Sequence, residues 1–308
     1  MSSEDEDLTT LSLKALKDLI ARAGLSSADC IDKADLRTRA AEAQERLKAS
    51  APKTRMPPGG GGGNNGSFER ASRKFGPYDC IVLGHSDVMR GSATADLCVV
   101  ILHGLGATSS DFADLPSMLG VDAALAGRRM VYVFPQAPAV PMLGYAWWQI
   151  DVMSFLSLQS AAPDAIAKLI REPPSGLDRC RASLAALLQE VRGFAAAASR
   201  TPLHPKRLLL GGFSQGAMTS MDAALQMAVD GPVGGVAFLS GAPIVVEQWA
   251  AKLQVLKRGG ASPLPVLVTH GVADATLPYA CSGWVKELLD SNGADVTFVS
   301  HGGGHELG

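Results

Sequence analysis

One serine sits in a setting that could make it reactive. Gly212-Phe213-Ser214-Gln215-Gly216 follows the apolar run Arg207-Leu208-Leu209-Leu210 and precedes a helix-favouring run from Ala217. That order, strand then tight turn then helix, exposes a hydroxyl at the tip of the turn, and small residues two before and two after it let helix and strand pack without collision. A serine hydroxyl is a weak nucleophile at neutral pH, so it needs a base to take its proton and a carboxylate to orient that base. Both lie later in the chain. Pro265-Val266-Leu267-Val268-Thr269-His270-Gly271 reads as a buried strand leaving into a turn, with Asp274 in the loop beyond it. Asp295-Val296-Thr297-Phe298-Val299-Ser300 alternates like a strand and ends in His301-Gly302-Gly303-Gly304-His305. The expected chemistry is acyl transfer, with Ser214 as nucleophile, His305 as base and Asp274 as the orienting acid.

Each assignment has a rival. His301 continues the alternation of its strand and would pack beside the sheet, whereas three glycines allow His305 to swing toward Ser214. Asp290 falls on a helical pattern whose charged face is solvated, and Asp295 opens a strand. Negative charge developing on the substrate oxygen requires preorganised donors. The run Leu97-Cys98-Val99-Val100-Ile101-Leu102 leads into the bend His103-Gly104-Leu105-Gly106, which can turn backbone amides toward the serine. The oxyanion hole is therefore assigned to the amides of Leu105 and Gln215. His103, placed before the glycines, suits a structural hydrogen bond that shapes the loop. None of the five cysteines has a Gly turn of this kind, which argues against a thiol nucleophile.

The elements that must carry these groups alternate. Strands are expected near 81–83, 97–102, 130–134, 207–211, 236–239, 265–269 and 295–300, with helical patterns over 177–198, 214–229 and 279–290. Alternation of that kind predicts a mostly parallel sheet covered on both faces.

Together, Leu102-His103-Gly104-Leu105-Gly106, Phe134-Pro135-Gln136-Ala137-Pro138, Ala146-Trp147-Trp148, Gly212-Phe213-Ser214-Gln215-Gly216, His270-Gly271 with Asp274, and Gly304-His305 resemble the phospholipase/carboxylesterase family, which includes the acyl-protein thioesterases. The resemblance runs from about Ala95 onward. It implies an α/β-hydrolase fold, the triad Ser214, Asp274 and His305, an oxyanion hole at Leu105 and Gln215, and hydrolysis of carboxylic esters or acyl thioesters, on lipids or acylated proteins, without a cofactor. Trp147, Trp148 and Met142 would then line the acyl or leaving-group side; packing beneath the following loop is the competing reading for the tryptophans. Ala107 and Gln149 stand where many members carry acidic residues, a departure that bears on acyl preference. The stretch from Ile150 to Gly176 is long and rich in apolar residues, and fits either a cover over an acyl pocket or a peripheral helix. Family members continue beyond the histidine into a closing helix. This sequence has three residues after His305, and loss of such a helix would expose apolar surface beside the last strand and loosen the loop holding His305.

With 308 residues, 47% of them hydrophobic, the chain can bury a full core and leave room for an appendage. Residues 51–67, with Pro57-Pro58 and Gly59 through Gly63, cannot bury a core and read as a flexible tether between an N-terminal part, 1–50, and a hydrolase domain, 68–308. Before the tether, Leu11, Leu13, Leu16, Leu19 and Ile20 make one helical face ending at Gly24, and Asp32 can cap a second helix with Leu36, Ala40 and Leu47. The resulting small helical hairpin resembles the SAP-like module through Leu13–Ile20, Gly24, Asp29-Cys30 and Asp32–Leu36. Acidic residues offset its basic ones, which argues against nucleic acid and for a protein partner. A net charge of -2 likewise argues against a polyanionic partner for the whole chain. The longest uncharged stretch, Gly231 to Val246, is broken by Gly, Pro and Ser, so no transmembrane segment is expected. The acidic start Met1-Ser2-Ser3-Glu4-Asp5-Glu6-Asp7 lacks a signal-peptide pattern, and the odd cysteine count fits buried free thiols; both point to the cytoplasm.

Overall fold

The computed structural model describes residue 20 and residues 38–43, 68–118, 125, 127–141, 144–149, 163–227 and 231–307. The chain divides into two units, Met1–Gly63 and Asn64–Gly308. In the first, residues 38–43 are helical, Ala40 and Ala43 are buried, and Arg39 pairs with Glu42 one turn on at 3.4 Å. The rest of the expected hairpin, apart from the buried Ile20, lies outside the described residues, as does the 51–67 tether.

In the second unit, the apolar runs bounded by turn residues form strands. They are β1 (Phe68–Phe75), β2 (Tyr78–His85), β3 (Leu97–Leu102), β4 (Met130–Pro135), a small ribbon of β5 (Ala139–Val140) and β6 (Gly144–Tyr145), then β7 (Leu208–Phe213), β8 (Gly235–Leu239), β9 (Pro265–Gly271) and β10 (Asp295–His301). Among the described residues, all but β5 and β6 join one eight-stranded sheet in the order β1-β2-β4-β3-β7-β8-β9-β10. From β4 to β10 the neighbours are parallel; β2 runs antiparallel to both β1 and β4. Strand β4 is buried along its whole length because both of its faces are covered. Met130, Tyr132 and Phe134 pack with Phe112 on one side, while Val131 and Val133 join the larger cluster on the other.

Helices α1 (Pro163–Arg171), α2 (Leu177–Ala195), α3 (Gln215–Gln226), α4 (Val246–Arg258) and α5 (Ala280–Ser291) flank this sheet. Leu177, Cys180, Leu184, Leu187, Leu188 and Val191 recur at three- and four-residue spacing, so α2 turns one continuous apolar stripe inward. Each buried leucine there contributes about 1.5–3 kcal/mol of transfer free energy. Helix α3 is buried on every side from Gln215 to Leu225, as expected of a helix held between the sheet, α2 and α4. Of the long apolar stretch between Ile150 and Gly176, residues 150–162 lie outside the described residues. Its second half is α1, whose Ile166 and Leu169 pack on the core and whose Arg171 meets Glu247 of α4 at 2.6 Å, which is the peripheral-helix arrangement. Among the described residues no helix is long and apolar enough to cross a membrane.

The sequence left β1 and α4 unread. Phe68-Glu69-Arg70-Ala71-Ser72-Arg73-Lys74-Phe75 is polar because it forms the sheet edge, pairing with β2 alone. Helix α4 buries only Trp249 and Leu253, too sparse a stripe to announce itself.

Candidate active site

Ser214, Gln215, Asp274, His305 and Leu105 lie at the C-terminal ends of the parallel strands, whereas Trp147 and Trp148 follow the β5–β6 ribbon. Ser214 follows β7 directly with φ 55° and ψ −120°, a backbone conformation that L-residues rarely adopt. Its N–H bonds the Leu239 carbonyl at 2.9 Å, and its own carbonyl takes the N–H groups of Ala217 and Met218 at 3.0 and 3.2 Å, which starts α3. The flanking glycines are sterically required. A Cβ on Gly212 would lie 2.4 Å from the backbone of Gly216, and one on Gly216 would lie 2.1 Å from the Leu102 oxygen.

Asp274 is buried in the turn after β9. Its Oδ1 accepts the N–H groups of Thr276 and Leu277, both at 2.8 Å, which closes the turn on the carboxylate. Its Oδ2 lies 2.7 Å from His305 Nδ1. The other ring nitrogen, His305 Nε2, lies 2.9 Å from Ser214 Oγ. The loop carrying His305 is tied to the β9 turn by Val272 N–H to the His301 carbonyl, 2.9 Å, and Ala273 N–H to the Gly303 carbonyl, 3.1 Å. Gly271 is needed for this approach, since a Cβ there would meet the Gly304 oxygen at 2.2 Å. The ring of Phe213 packs against His305 with centroids 4.7 Å apart. The fold thus brings Ser214, His305 and Asp274 into one hydrogen-bonded line.

The rivals are elsewhere. His301 Nδ1 accepts the Gly303 N–H at 3.3 Å, Asp290 pairs with Lys286, and Asp295 is exposed at the start of β10. Cys80, Cys98, Cys180 and Cys281 are buried free thiols, each pushed up to about 12 chiefly by burial.

Next to the serine, Gly104 approaches so closely that a Cβ on it would sit 3.4 Å from Ser214 Cβ. The N–H groups of Leu105 and Gln215 have no partner among the described residues. His103 is buried and shapes this bend: its Nδ1–H donates to the Gly104 carbonyl at 2.8 Å, and Nε2 accepts from Ala137 N–H and Gln136 Nε2, both at 3.1 Å. Burial pulls its proton affinity below the ordinary histidine range, in keeping with a neutral structural ring. Gln136 was missed as a functional residue. Its Oε1 also takes the Ser109 N–H at 3.0 Å, so one amide bridges the two ends of the bend; the available signal was an amide just past the end of a buried strand, between two prolines.

The side chain of Gln215 clamps a further segment. Its Oε1 accepts Trp147 N–H at 3.0 Å and its Nε2 donates to the Trp148 carbonyl at 2.9 Å. The two indoles are buried in the core, Trp147 donating to the His103 carbonyl at 2.8 Å and Trp148 to Thr219 Oγ1 at 3.0 Å. Met142 lies outside the described residues.

A serine on a strained turn, hydrogen-bonded to a histidine that is held by a buried carboxylate, is the geometry that the family pattern requires. The family model described as Phospholipase/Carboxylesterase matches residues 83–307. The chain belongs to the phospholipase/carboxylesterase family. As a member it is a hydrolase of the ester and thioester class. Acyl-protein thioesterase 1 of Mycosarcoma maydis is 29% identical over 214 residues, covering 65% of this chain and 80% of that protein. Among solved structures, esterase PE8 is similar with 26% identity and a TM-score of 0.52, over 70% of this chain and 87% of that one. Zea mays acyl-protein thioesterase 2, at 22% identity and a TM-score of 0.50 over 79% of this chain and 92% of that one, shares the fold.

Proposed function

We propose that this family member is a serine hydrolase that cleaves carboxylic esters or acyl thioesters through an acyl-enzyme on Ser214. The observation that carries the reading is the unbroken line from Ser214 Oγ to His305 Nε2, 2.9 Å, and from His305 Nδ1 to Asp274 Oδ2, 2.7 Å. His305 takes the Ser214 proton as the oxygen attacks the acyl carbonyl, and Asp274 stabilises the imidazolium. The tetrahedral oxyanion is received by the amides of Leu105 and Gln215, which have no other partner among the described residues. His305 then returns the proton to the leaving alcohol or thiol, and water, activated by the same ring, releases the acid and restores Ser214. No step needs a cofactor. Trp147 and Trp148, with Met142, are assigned to the acyl or leaving-group side, the indoles acting through the segment they anchor against Gln215.

Acylated proteins are the substrate class that the relative named acyl-protein thioesterase 1 supports, and lysophospholipids are the narrower reading that the phospholipase/carboxylesterase family supports. Residues 68–308 form the catalytic domain in this reading, with residues 1–50 a helical hairpin for a protein partner and 51–67 the tether.

A fluorophosphonate probe tests the chemistry. The expected result is covalent labelling at Ser214, abolished in Ser214→Ala, with turnover on a panel of p-nitrophenyl esters and acyl thioesters of graded length. Folded protein that refuses the probe and the whole panel would leave a catalytically dead scaffold working through its N-terminal part.

A further inference from the structure

A second imidazole lies beside Asp274. His270, the penultimate residue of β9, is fully buried, and its Nε2 lies 2.9 Å from the Leu277 carbonyl and 3.2 Å from Asp274 Oδ2. Both of those atoms are acceptors, so the hydrogen on this ring belongs on Nε2. The Leu277 peptide is thereby held at both ends, its N–H donating to Asp274 Oδ1 at 2.8 Å while its carbonyl takes the His270 ring. The opposite nitrogen, Nδ1, is buried with no partner among the described residues. So is Oγ of Ser240, which continues the β8 and β9 register one step beyond Leu239 and Thr269. A proton on Nδ1 would place a charge where no described group accepts it, so the ring is held in the neutral form with its N–H on the Leu277 and Asp274 side.

We propose that His270 is a positioning residue for the reaction: a fixed neutral ring whose N–H holds the Leu277 carbonyl and, through the Leu277 amide, the Asp274 carboxylate, and whose polar edge, 3.2 Å from Oδ2, shares the charge that Asp274 presents to His305. The proposal rests on the reading of Ser214, His305 and Asp274 as the reacting set. A packing role alone would need only the ring's volume; the N–H, given to the Leu277 carbonyl and 3.2 Å from Oδ2, adds an electrical connection to the acid. The titratable groups around the ring are Asp274 and His305 in the two loops, His301 at the end of β10, and Cys281 and Tyr279 at the start of α5. Burial pulls the proton affinity of His270 itself down, in keeping with a ring that stays neutral while His305 cycles.

The test compares full-length His270→Leu, which removes the donor, with His270→Gln, which keeps an N–H at similar reach. Active enzyme is counted by fluorophosphonate titration. In His270→Leu, kcat per active site should fall on the order of tenfold to a hundredfold with KM little changed, as expected when the base is no longer held in line. The acid limb of kcat/KM should also move to higher pH, because a carboxylate that has lost the N–H dipole beside it stabilises the imidazolium of His305 more strongly. His270→Gln should bring back the limb and most of kcat. A folded His270→Leu protein with an unmoved limb, whatever its stability, overturns the proposal and leaves the triad reading intact; a Ser214→Ala protein that still labels and turns over removes both. If His270→Leu does not fold, nitrogen NMR of the histidine-labelled native protein decides. An Nε2–H ring at His270 that stays neutral through the pH range where catalysis switches on supports the proposal, and an Nδ1–H or titrating ring overturns it.

Discussion

The carbonyl oxygen of Leu102 lies 2.1 Å from where a Cβ on Gly216 would be, so the first turn of α3 rests directly on the end of β3. That contact joins the two halves of the site. Strand β3 leads into the bend bearing the Leu105 amide, and α3 begins with the amide of Gln215, so their separation is fixed by the lack of a side chain between them. Gly216→Ala must push the helix and the bend apart. The expected outcome is a loss of kcat/KM of about a hundredfold, from displacement of the donors, and a loss of about 1–3 kcal/mol from overpacking. Thermal melts alongside probe-labelling rates would test this, and a variant that labels at the native rate would refute it.

Ser214 itself is held at φ 55° and ψ −120°, where a Cβ is unwelcome and glycine is at ease. Residues kept in such conformations cost of order 1–3 kcal/mol. Ser214→Gly is therefore expected to abolish hydrolysis and raise stability by about 1 kcal/mol, part of the relief being offset by the greater freedom of glycine in the unfolded chain. Ser214→Ala keeps the Cβ and should abolish hydrolysis without that gain. Urea unfolding of the three proteins side by side distinguishes these outcomes: equal midpoints for the Gly and Ala variants would show that the turn stores no strain.

Most of this site could be read in the sequence because its residues stand at places that only backbone geometry explains. A serine between Gly212 and Gly216, an aspartate just beyond a buried strand and a histidine after three glycines are positional signals that survive without coordinates. The residues around them gave weaker signals: His270 stood in a family motif and Gln136 just past a buried strand, but neither showed which atoms it would reach. His270, Gln136 and the side chain of Gln215 act on atoms chosen by tertiary packing, namely the Leu277 carbonyl, the Ser109 amide and the Trp147–Trp148 backbone. Choosing His305 over His301 rested on the reach of the glycines. In the structure those glycines also contribute carbonyls, Gly303 to Ala273 and Gly304 against Gly271, that fasten the loop in place. Strand β1 escaped notice for the opposite reason, since an edge strand with polar exposed positions has little apolar periodicity to display.

His103 and His270 make stability pH-dependent. Burial is the main cause lowering the proton affinity of both rings in the folded protein. The unfolded chain therefore takes up protons below the ordinary histidine value, about 6.5, while the folded chain does not. With more protons bound in the unfolded state, stability must rise with pH through that window, and it is lost as pH falls from about 7 toward 5. Above the ordinary value both states are neutral at these positions and the dependence vanishes. Replacing His103 with Asn removes one titrating group and should flatten the slope of Tm against pH in this range. A slope unchanged in His103→Asn and in His270→Gln would show that other groups govern acid sensitivity.

Asp222 couples α3 to its neighbours on the side away from Ser214. Its carboxylate is almost wholly buried and takes a bidentate pair of bonds from Arg181 of α2, Nε at 2.7 Å and Nη2 at 2.8 Å, while Trp249 of α4 donates its Nε1–H at 3.1 Å. Arg181 further bonds Gln248 of α4 at 2.8 Å and Asp178 of its own helix at 3.2 Å. Removing one member of a buried pair costs more than the pair contributes, because the partner keeps its charge without compensation. Asp222→Ala is expected to lose about 3–5 kcal/mol, stranding the guanidinium and the indole N–H together. Asp222→Asn should lose less, since its amide oxygen can still accept from Arg181. Both losses should appear in denaturant midpoints, while kcat per titrated active site stays near the native value, because the carboxylate touches neither the bend nor the loop of His305. A normal midpoint for Asp222→Ala would mean that packing alone holds the three helices together. A normal midpoint combined with reduced turnover would mean that the cluster works on the nucleophile through α3.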